Sequence, residues 1–399
     1  MSLKSHVTKV SRHSIGSVRS LCRTLSIDEP ELQALLSWVP ESRFKKKAVT
    51  KSSGGSRTVY VPHWRYRKIL RKINKRILGN TKIIRWPDYV FGSVPSSDAD
   101  DARLIGRDYI ACAAVHSSSK SILKVDICDF FDNVEQPLVR NIYTDFLKYP
   151  PAVAETLCNL CCIHGKIPQG APTSSYLANL VFWDLEANLV ARLKQKGLTY
   201  TRYVDDITIS SRKYSQDFSL ALKLVDQMLM DKDLTRSEVK TQVLRSGTKP
   251  LLVHSLRVEH ATPRIPSPEY RRIRSAVRTL ENFAADAGFR TYDAYRRMFN
   301  VCLGRVNKLS RLRKKSHTAY ITRLNRVGPL PSHRDLRWCQ RTAREVLKRF
   351  AIPGESERFF FRRKLFRLRE RLNLLQRTYV HEASAIRDSL AQIKIYSHE

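Results

Sequence analysis

The most constraining feature of this chain is a pair of adjacent carboxylates set between two runs of β-forming residues. Tyr200–Tyr203 and Ile207–Ile209 flank Val204-Asp205-Asp206, which reads as two strands joined by a tight turn. Earlier in the chain, Ser121-Ile-Leu-Lys-Val-Asp126 reads as a strand that ends on a carboxylate. Either feature alone is weak, since acidic turns and helix caps are common at surfaces.

The segment between them decides the reading. Ile167-Pro-Gln-Gly-Ala-Pro-Thr-Ser-Ser-Tyr-Leu-Ala-Asn179 combines a turn with a helix start. Gly170 frees the backbone close to a ligand, and the amides and hydroxyls after it can face a phosphate. Nucleotidyl transfer by in-line attack of a 3′-hydroxyl needs two divalent ions about 3.5–4 Å apart. Mg²⁺ takes hard oxygen ligands, chiefly carboxylates, phosphates and water. One Asp at a strand end and an Asp pair in a turn beside it would supply the protein's share.

Charge agrees with an anionic partner. Lys and Arg number 72 against 37 Asp and Glu, a formal +35. Such an excess repels itself unless phosphates neutralise it; the alternatives are a basic soluble surface or an anionic membrane. No run of about 18 apolar residues occurs, which argues against a membrane span. Eight scattered cysteines and no export signal suggest free thiols in a reducing, cytoplasmic setting. Cys158, Cys161 and His164 have zinc-like spacing without a second CxxC, and helical spacing of small apolar residues explains them equally well. The N-terminus has the basic, Ser-rich composition of an organellar transit peptide. Its helical pattern runs on through Leu36, which favours a short helical entry instead.

Along the chain, residues 1–40 read as helical with Ser26 or Asp28 as a cap, and 43–61 as a hairpin around Ser52–Ser56. Arg65–Leu78 is a basic amphipathic helix. Residues 86–120 look irregular, with turn residues at Pro87, Pro95 and Asp98–Asp101. A long helix is expected from Thr173 to about Lys196, another over about 216–231, and short strands over about 240–260. Pro263, Pro266 and Pro268 mark a boundary, after which the chain is helical and very basic.

The three blocks resemble motifs A, B and C of reverse transcriptases, and the IPQGAPTSSYLAN block is similar to bacterial retron enzymes and defence-associated reverse transcriptases (DRT). The resemblance covers roughly residues 25–310. It implies an α+β right-hand polymerase with residues 1–40 as an N-terminal helical segment, 41–120 as fingers, 121–262 as an antiparallel palm with interleaved fingers elements, 263–310 as a helical thumb, and 311–399 as a basic extension. By the same resemblance Asp126, Asp205 and Asp206 are metal carboxylates, with the backbone of Ile127 beside them, and Lys240 is a candidate proton donor to pyrophosphate. Phe131 would lie under the incoming sugar and exclude a 2′-hydroxyl; the alternative has Phe130 facing the sugar. Asp129 would offer its backbone near the triphosphate, Lys51 and Arg57 would neutralise it, and Gln169 and Gly170 would border the nucleotide. Tyr203 would pack under the primer end. In the tail, Arg362, Arg363 and Lys364 sit among aromatics, a composition suited to RNA or to a subunit interface.

Departures from the retron pattern are Cys112 in Cys112-Ala-Ala-Val-His116, where retrons carry the Asn of Asn-Ala-x-x-His although Ala113 and His116 match, and Val253-His-Ser-Leu256, where they carry Val-Thr-Gly. With the long basic tail, these favour a defence-associated enzyme outside the retrons proper. The expectation is an RNA-directed DNA polymerase making cDNA from dNTPs on a non-coding RNA in a bacterial antiphage system, using two Mg²⁺ ions or Mn²⁺ in their place. Expected partners are the template RNA, the DNA product, and a second copy or defence subunit. The alternatives are a retron enzyme making msDNA, a maturase-like RNA binder, and an RNA-copying RNA polymerase.

Overall fold

The computed structural model describes residues 6–50, 54–96, 106–312 and 314–393, the Glu357 side chain excepted. Lys51, Ser52, Ser53 and Asp98–Asp101 lie outside the described residues. The chain divides into two compact units, Met1–Ile265 and Pro266–Glu399.

The strands of the first unit are β1 (Thr8–Lys9), β2 (Phe44–Thr50), β3 (Ser56–Pro62), β4 (Ile84–Arg85), β5 (Val90–Phe91), β6 (Ser121–Asp126), β7 (Thr199–Tyr203), β8 (Asp206–Ser211), β9 (Gln242–Arg245), β10 (Leu252–Val253) and β11 (Leu256–Arg257). Five of them form one sheet in the order β5-β7-β8-β6-β9. β5 runs parallel to β7, and the other pairings are antiparallel. β2 and β3 make a separate hairpin, as do β10 and β11.

Because side chains alternate along a strand, the register divides the five-stranded sheet into two unlike faces. One carries Asp126, Lys124 and Ile122 with Asp206, Thr208 and Ser210, and Tyr203 and Thr201 beyond them. The other carries Leu123, Val125, Ile207 and Ile209, which join the main core with Leu189, Leu193, Val225 and Leu229. Burial of that apolar face fixes the register, since a slip of one residue would turn the hydrophobic set to the polar side. The acidic strand ends are therefore held in place by the core behind them.

Helix starts follow local chemistry. Ser17 caps Val18–Leu25, and Asp28 accepts from the Glu31 amide at the start of Glu29–Leu36. Ser26 is a left-handed C-cap rather than a helix start. The basic helix Trp64–Ile73 runs into a wider turn over Asn74–Leu78. The single helix expected from Thr173 to Lys196 is broken in two, Ser174–Leu180 and Glu186–Gln195. The break turns Phe182 onto Phe130, with ring centroids 5.9 Å apart, and Glu186 toward β7.

The second unit is helical: Ser267–Ala284, Asp293–Arg311, Ser316–Arg326, His333–Phe350, Phe359–Leu375 and Val380–Ser389. A capping box between Ser332 and Asp335 opens His333–Phe350. Phe361, Leu365, Leu368, Leu372 and Leu375 recur at helical spacing and pack with Cys339, Ala343 and Val346. Among the described residues no helix is long and apolar enough to cross a membrane.

Candidate active site

The end of β6 and the β7–β8 turn meet. Asp126 is directly opposite Asp206 in the ladder, and the Ile127 amide donates to the Asp205 carbonyl at 3.1 Å. Val204 adopts φ 58, a left-handed conformation that costs a β-branched residue energy and closes the turn tightly. On the other side of β6, the Ser237 amide donates to the Asp126 carbonyl at 2.7 Å. Three carboxylates from two separated stretches of sequence thus share one sheet end.

Their electrostatics show the strain of that arrangement. Burial, then the charges of Asp206 and Asp126, push the Asp205 carboxyl up to about 6. Asp206 is raised by burial and by Asp126. Lys240 places its ammonium 2.7 Å from Asp126 Oδ2, and this hydrogen bond raises the lysine's own pKa. Among the described residues no three His, Cys, Asp or Glu side chains are already gathered as metal ligands. The donor set nevertheless fits a hard divalent cation, because three carboxylates share this sheet end and their mutual repulsion is what added positive charge would relieve.

Asp129, Phe130 and Phe131 follow directly on the Asp126 strand end, while Arg57, Gln169 and Gly170 belong to the β2–β3 hairpin and the turn it docks on. Phe130 is in the core and stacked on Phe182, while Phe131 is half-buried. Of the two rings, Phe131 is the one with an open edge. Asp129 is exposed and left-handed at φ 40, just before the short helix Phe130–Asn133. The Tyr60 amide donates to the Gln169 carbonyl at 2.7 Å, which docks the β2–β3 hairpin on the Pro168–Gly170 turn. At Gly170, φ is +105 and a Cβ would sit 2.5 Å from Val59 Cγ1. Glycine is required there by hairpin packing. Arg57 is exposed on β3, opposite Val49.

Several residues that hold the site were not among those predicted for it. Arg202 is fully buried below the turn. It donates to both Glu186 carboxylate oxygens, to Asn179 and to the Val204 carbonyl. His116 is also fully buried and bridges Ser210 and Thr201, each at 2.7 Å. Cys112, where retrons carry Asn, lies 3.3 Å from the same Thr201 hydroxyl. His254 stands against Tyr203 and Asp206. The alternating strand pattern places all of these residues but cannot say what they touch.

Cys158 and Cys161 lie in the buried face of helix Pro151–Cys161, where burial raises their thiols to about 12 and about 11, while His164 is exposed on the following turn. In the second unit, Lys364 pairs with Glu345, Arg362 donates to the Ser356 carbonyl, and Arg363 is exposed. Arg297 on one helix and Arg367, Arg371 and Arg377 on or just after another border a cleft of about 570 Å³ that also holds Asp293 and Glu370. Arg371 and Arg296 are tied to Asp335, whereas Arg297 and Arg367 have no acidic partner among the described residues.

Comparison with known proteins agrees with this geometry. The reverse transcriptase (RNA-dependent DNA polymerase) family profile matches residues 45–290. The chain is 34% identical over 382 residues to the Retron Ec48 reverse transcriptase of Escherichia coli, covering 95% of this chain and 93% of that one. It is 30% identical to the Retron Se72 reverse transcriptase of Salmonella heidelberg, covering 95% and 96%. Both alignments take in the basic tail, so its length does not set this chain apart from those two retron enzymes. A solved telomerase from Candida albicans, in complex with a TWJ fragment of telomeric RNA, aligns at 12% identity and a TM-score of 0.36 over 88% of this chain and 66% of that one. Reverse transcriptases work with an RNA template and are generally divalent-metal dependent. The ordered carboxylates, the sheet that joins them and the nearly full-length likeness establish that the chain belongs to the retron-like bacterial reverse transcriptases, a family of RNA-directed DNA polymerases.

Proposed function

We propose that the protein copies an associated non-coding RNA into DNA from dNTPs, with Asp126, Asp205 and Asp206 as metal-binding carboxylates. The observation that carries this reading is the direct pairing of Asp126 with Asp206 beside Asp205. Two Mg²⁺ ions, or Mn²⁺ in their place, would lower the charge on the attacking and leaving oxygens. The Ile127 backbone lies alongside. Lys240, kept protonated at neutral pH by its hydrogen bond to Asp126, would give a proton to the departing pyrophosphate. Arg57 would neutralise the triphosphate from the docked hairpin, and the family resemblance gives Lys51, outside the described residues, the same role. Asp129, Gln169 and Gly170 border the nucleotide, Phe130 backs the site, and Phe131 presents the open ring edge that excludes a 2′-hydroxyl. Tyr203 supports the primer end.

The basic cleft of the second unit suits an RNA backbone, because two of its arginines are free to meet phosphates. Arg363 precedes Arg367 by one helical turn and extends the same stripe, while Lys364 faces Glu345. A role in antiphage defence rests on family resemblance alone. The retron form of this activity, with msDNA as product, is favoured by the nearly full-length likeness to two retron enzymes. The direct test is dNTP incorporation on a primed RNA template with Mg²⁺. Asp205→Asn is expected to abolish it, and unchanged incorporation by that variant would reject the assignment.

A further inference from the structure

The β10–β11 hairpin turns through His254 and Ser255, with φ 46 and 65. A two-residue hairpin turn with both residues left-handed is ordinarily made by Asn and Gly, because a side chain there meets steric cost. Two ordinary residues in sequence therefore store strain that the surroundings must hold. What the turn delivers is the imidazole of His254. Its ring centroid lies 4.6 Å from that of Tyr203, and its Nδ1 lies 3.8 Å from Asp206 Oδ2. Its Nε2 is buried with no hydrogen-bond partner. Gly92 also meets the Tyr203 ring, and a Cβ there would come within 2.9 Å of it. Gly92 and His254 thus both abut the Tyr203 ring, and the same histidine lies beside a carboxylate that Asp126 and Asp205 repel.

We infer that His254 is a positioning residue for DNA synthesis: it braces Tyr203 and limits the swing of Asp206, so that the hairpin turn and the catalytic turn hold one geometry. The inference rests on the polymerase reading. It needs no charge on the imidazole, only its ring against Tyr203 and its edge beside Asp206.

The test uses the full-length protein, with steady-state incorporation of dTTP on poly(rA) primed by oligo(dT), and Mn²⁺ binding followed by electron paramagnetic resonance without nucleic acid. His254→Ala is expected to lower kcat about tenfold with KM for dTTP within about twofold, and to weaken Mn²⁺ binding by a similar factor. His254→Gln, which keeps a polar atom beside Asp206, should restore most of the Mn²⁺ affinity. His254→Phe, which keeps the ring against Tyr203, should not restore the Mn²⁺ affinity. Unchanged kcat and Mn²⁺ binding in His254→Ala, or a kcat loss with Mn²⁺ binding intact in all three variants, overturns the inference. A parent protein that binds Mn²⁺ but incorporates nothing sinks the polymerase reading instead, and the three Mn²⁺ affinities then decide the role of His254 separately.

Discussion

Arg202 and Glu186 form an ion pair withdrawn from solvent beneath the β7–β8 turn, with Nε to Oε1 at 2.6 Å and the second guanidinium nitrogen to Oε2 at 2.7 Å. The Tyr200 hydroxyl donates to the same carboxylate at 2.8 Å, and the remaining guanidinium nitrogen reaches Asn179 and the Val204 carbonyl. Removing one partner of such a pair strands a buried charge and costs about 3–5 kcal/mol. Arg202→Met and Glu186→Gln are each expected to lower stability by that order in urea denaturation. The double change Arg202→Met with Glu186→Leu should cost less than the sum. Loss of the Val204 anchor should also slow dNTP incorporation in the variants that remain folded.

Gly170 gives a second prediction. Its φ of +105 is strained for any side chain, and a Cβ would meet Val59 Cγ1 at 2.5 Å and the Tyr60 carbonyl at 3.0 Å. Gly170→Ala should cost about 2 kcal/mol. Because Arg57 rides on the same hairpin, KM for dNTPs should rise more than kcat falls. A variant with parental stability and KM would show that the hairpin does not depend on this contact.

His116 makes stability depend on pH. Burial, with a smaller contribution from His254, lowers its pKa to about 3 from an ordinary 6.5. The unfolded chain therefore binds a proton between these values that the folded chain does not. Unfolding is favoured as pH falls, and the stability due to neutral His116 is present above 6.5 and lost progressively toward 3. At about 1.4 kcal/mol per pH unit, the parent should lose about 2 kcal/mol more than His116→Gln between pH 6.5 and 5. Denaturation midpoints at the two pH values check this, and parallel losses would show that another group governs acid sensitivity.

Phe131 is the half-buried ring of its pair, with Phe130 locked against Phe182. Phe131→Ala should raise rNTP incorporation relative to dNTP by about tenfold or more, read from kcat/KM for the matched pair. Phe130→Ala should instead destabilise by about 3–5 kcal/mol, as core truncations of this size do. A reversed pattern would move the sugar contact to Phe130.

For the second unit, Arg297→Ala with Arg367→Ala should weaken RNA binding and reduce the slope of log affinity against log salt by about 1.4, at roughly 0.7 per single-strand phosphate contact. Melting temperature should hardly change, since neither arginine has an acidic partner among the described residues. An unaltered slope would point the cleft toward a protein partner.

The acidic residues of the site are legible in the sequence because the chemistry demands particular residue types at strand ends and in a tight turn, and such demands leave local marks. Asp126, Asp205, Asp206 and the β2–β3 hairpin all announce themselves through short-range pattern. The contacts of Arg202, Glu186, His116 and His254 do not, because their partners lie many positions away on other elements and only the folded chain brings them together. The helix break after Leu180 has the same origin: local propensity favours one long helix, and the packing of Phe182 on Phe130 and of Glu186 on Arg202 overrides it. Sequence alone determined which side chains the proposed chemistry would use. Tertiary structure decided how they are braced, because burial and long-range pairing set the energies of groups whose neighbours in the chain say nothing about them.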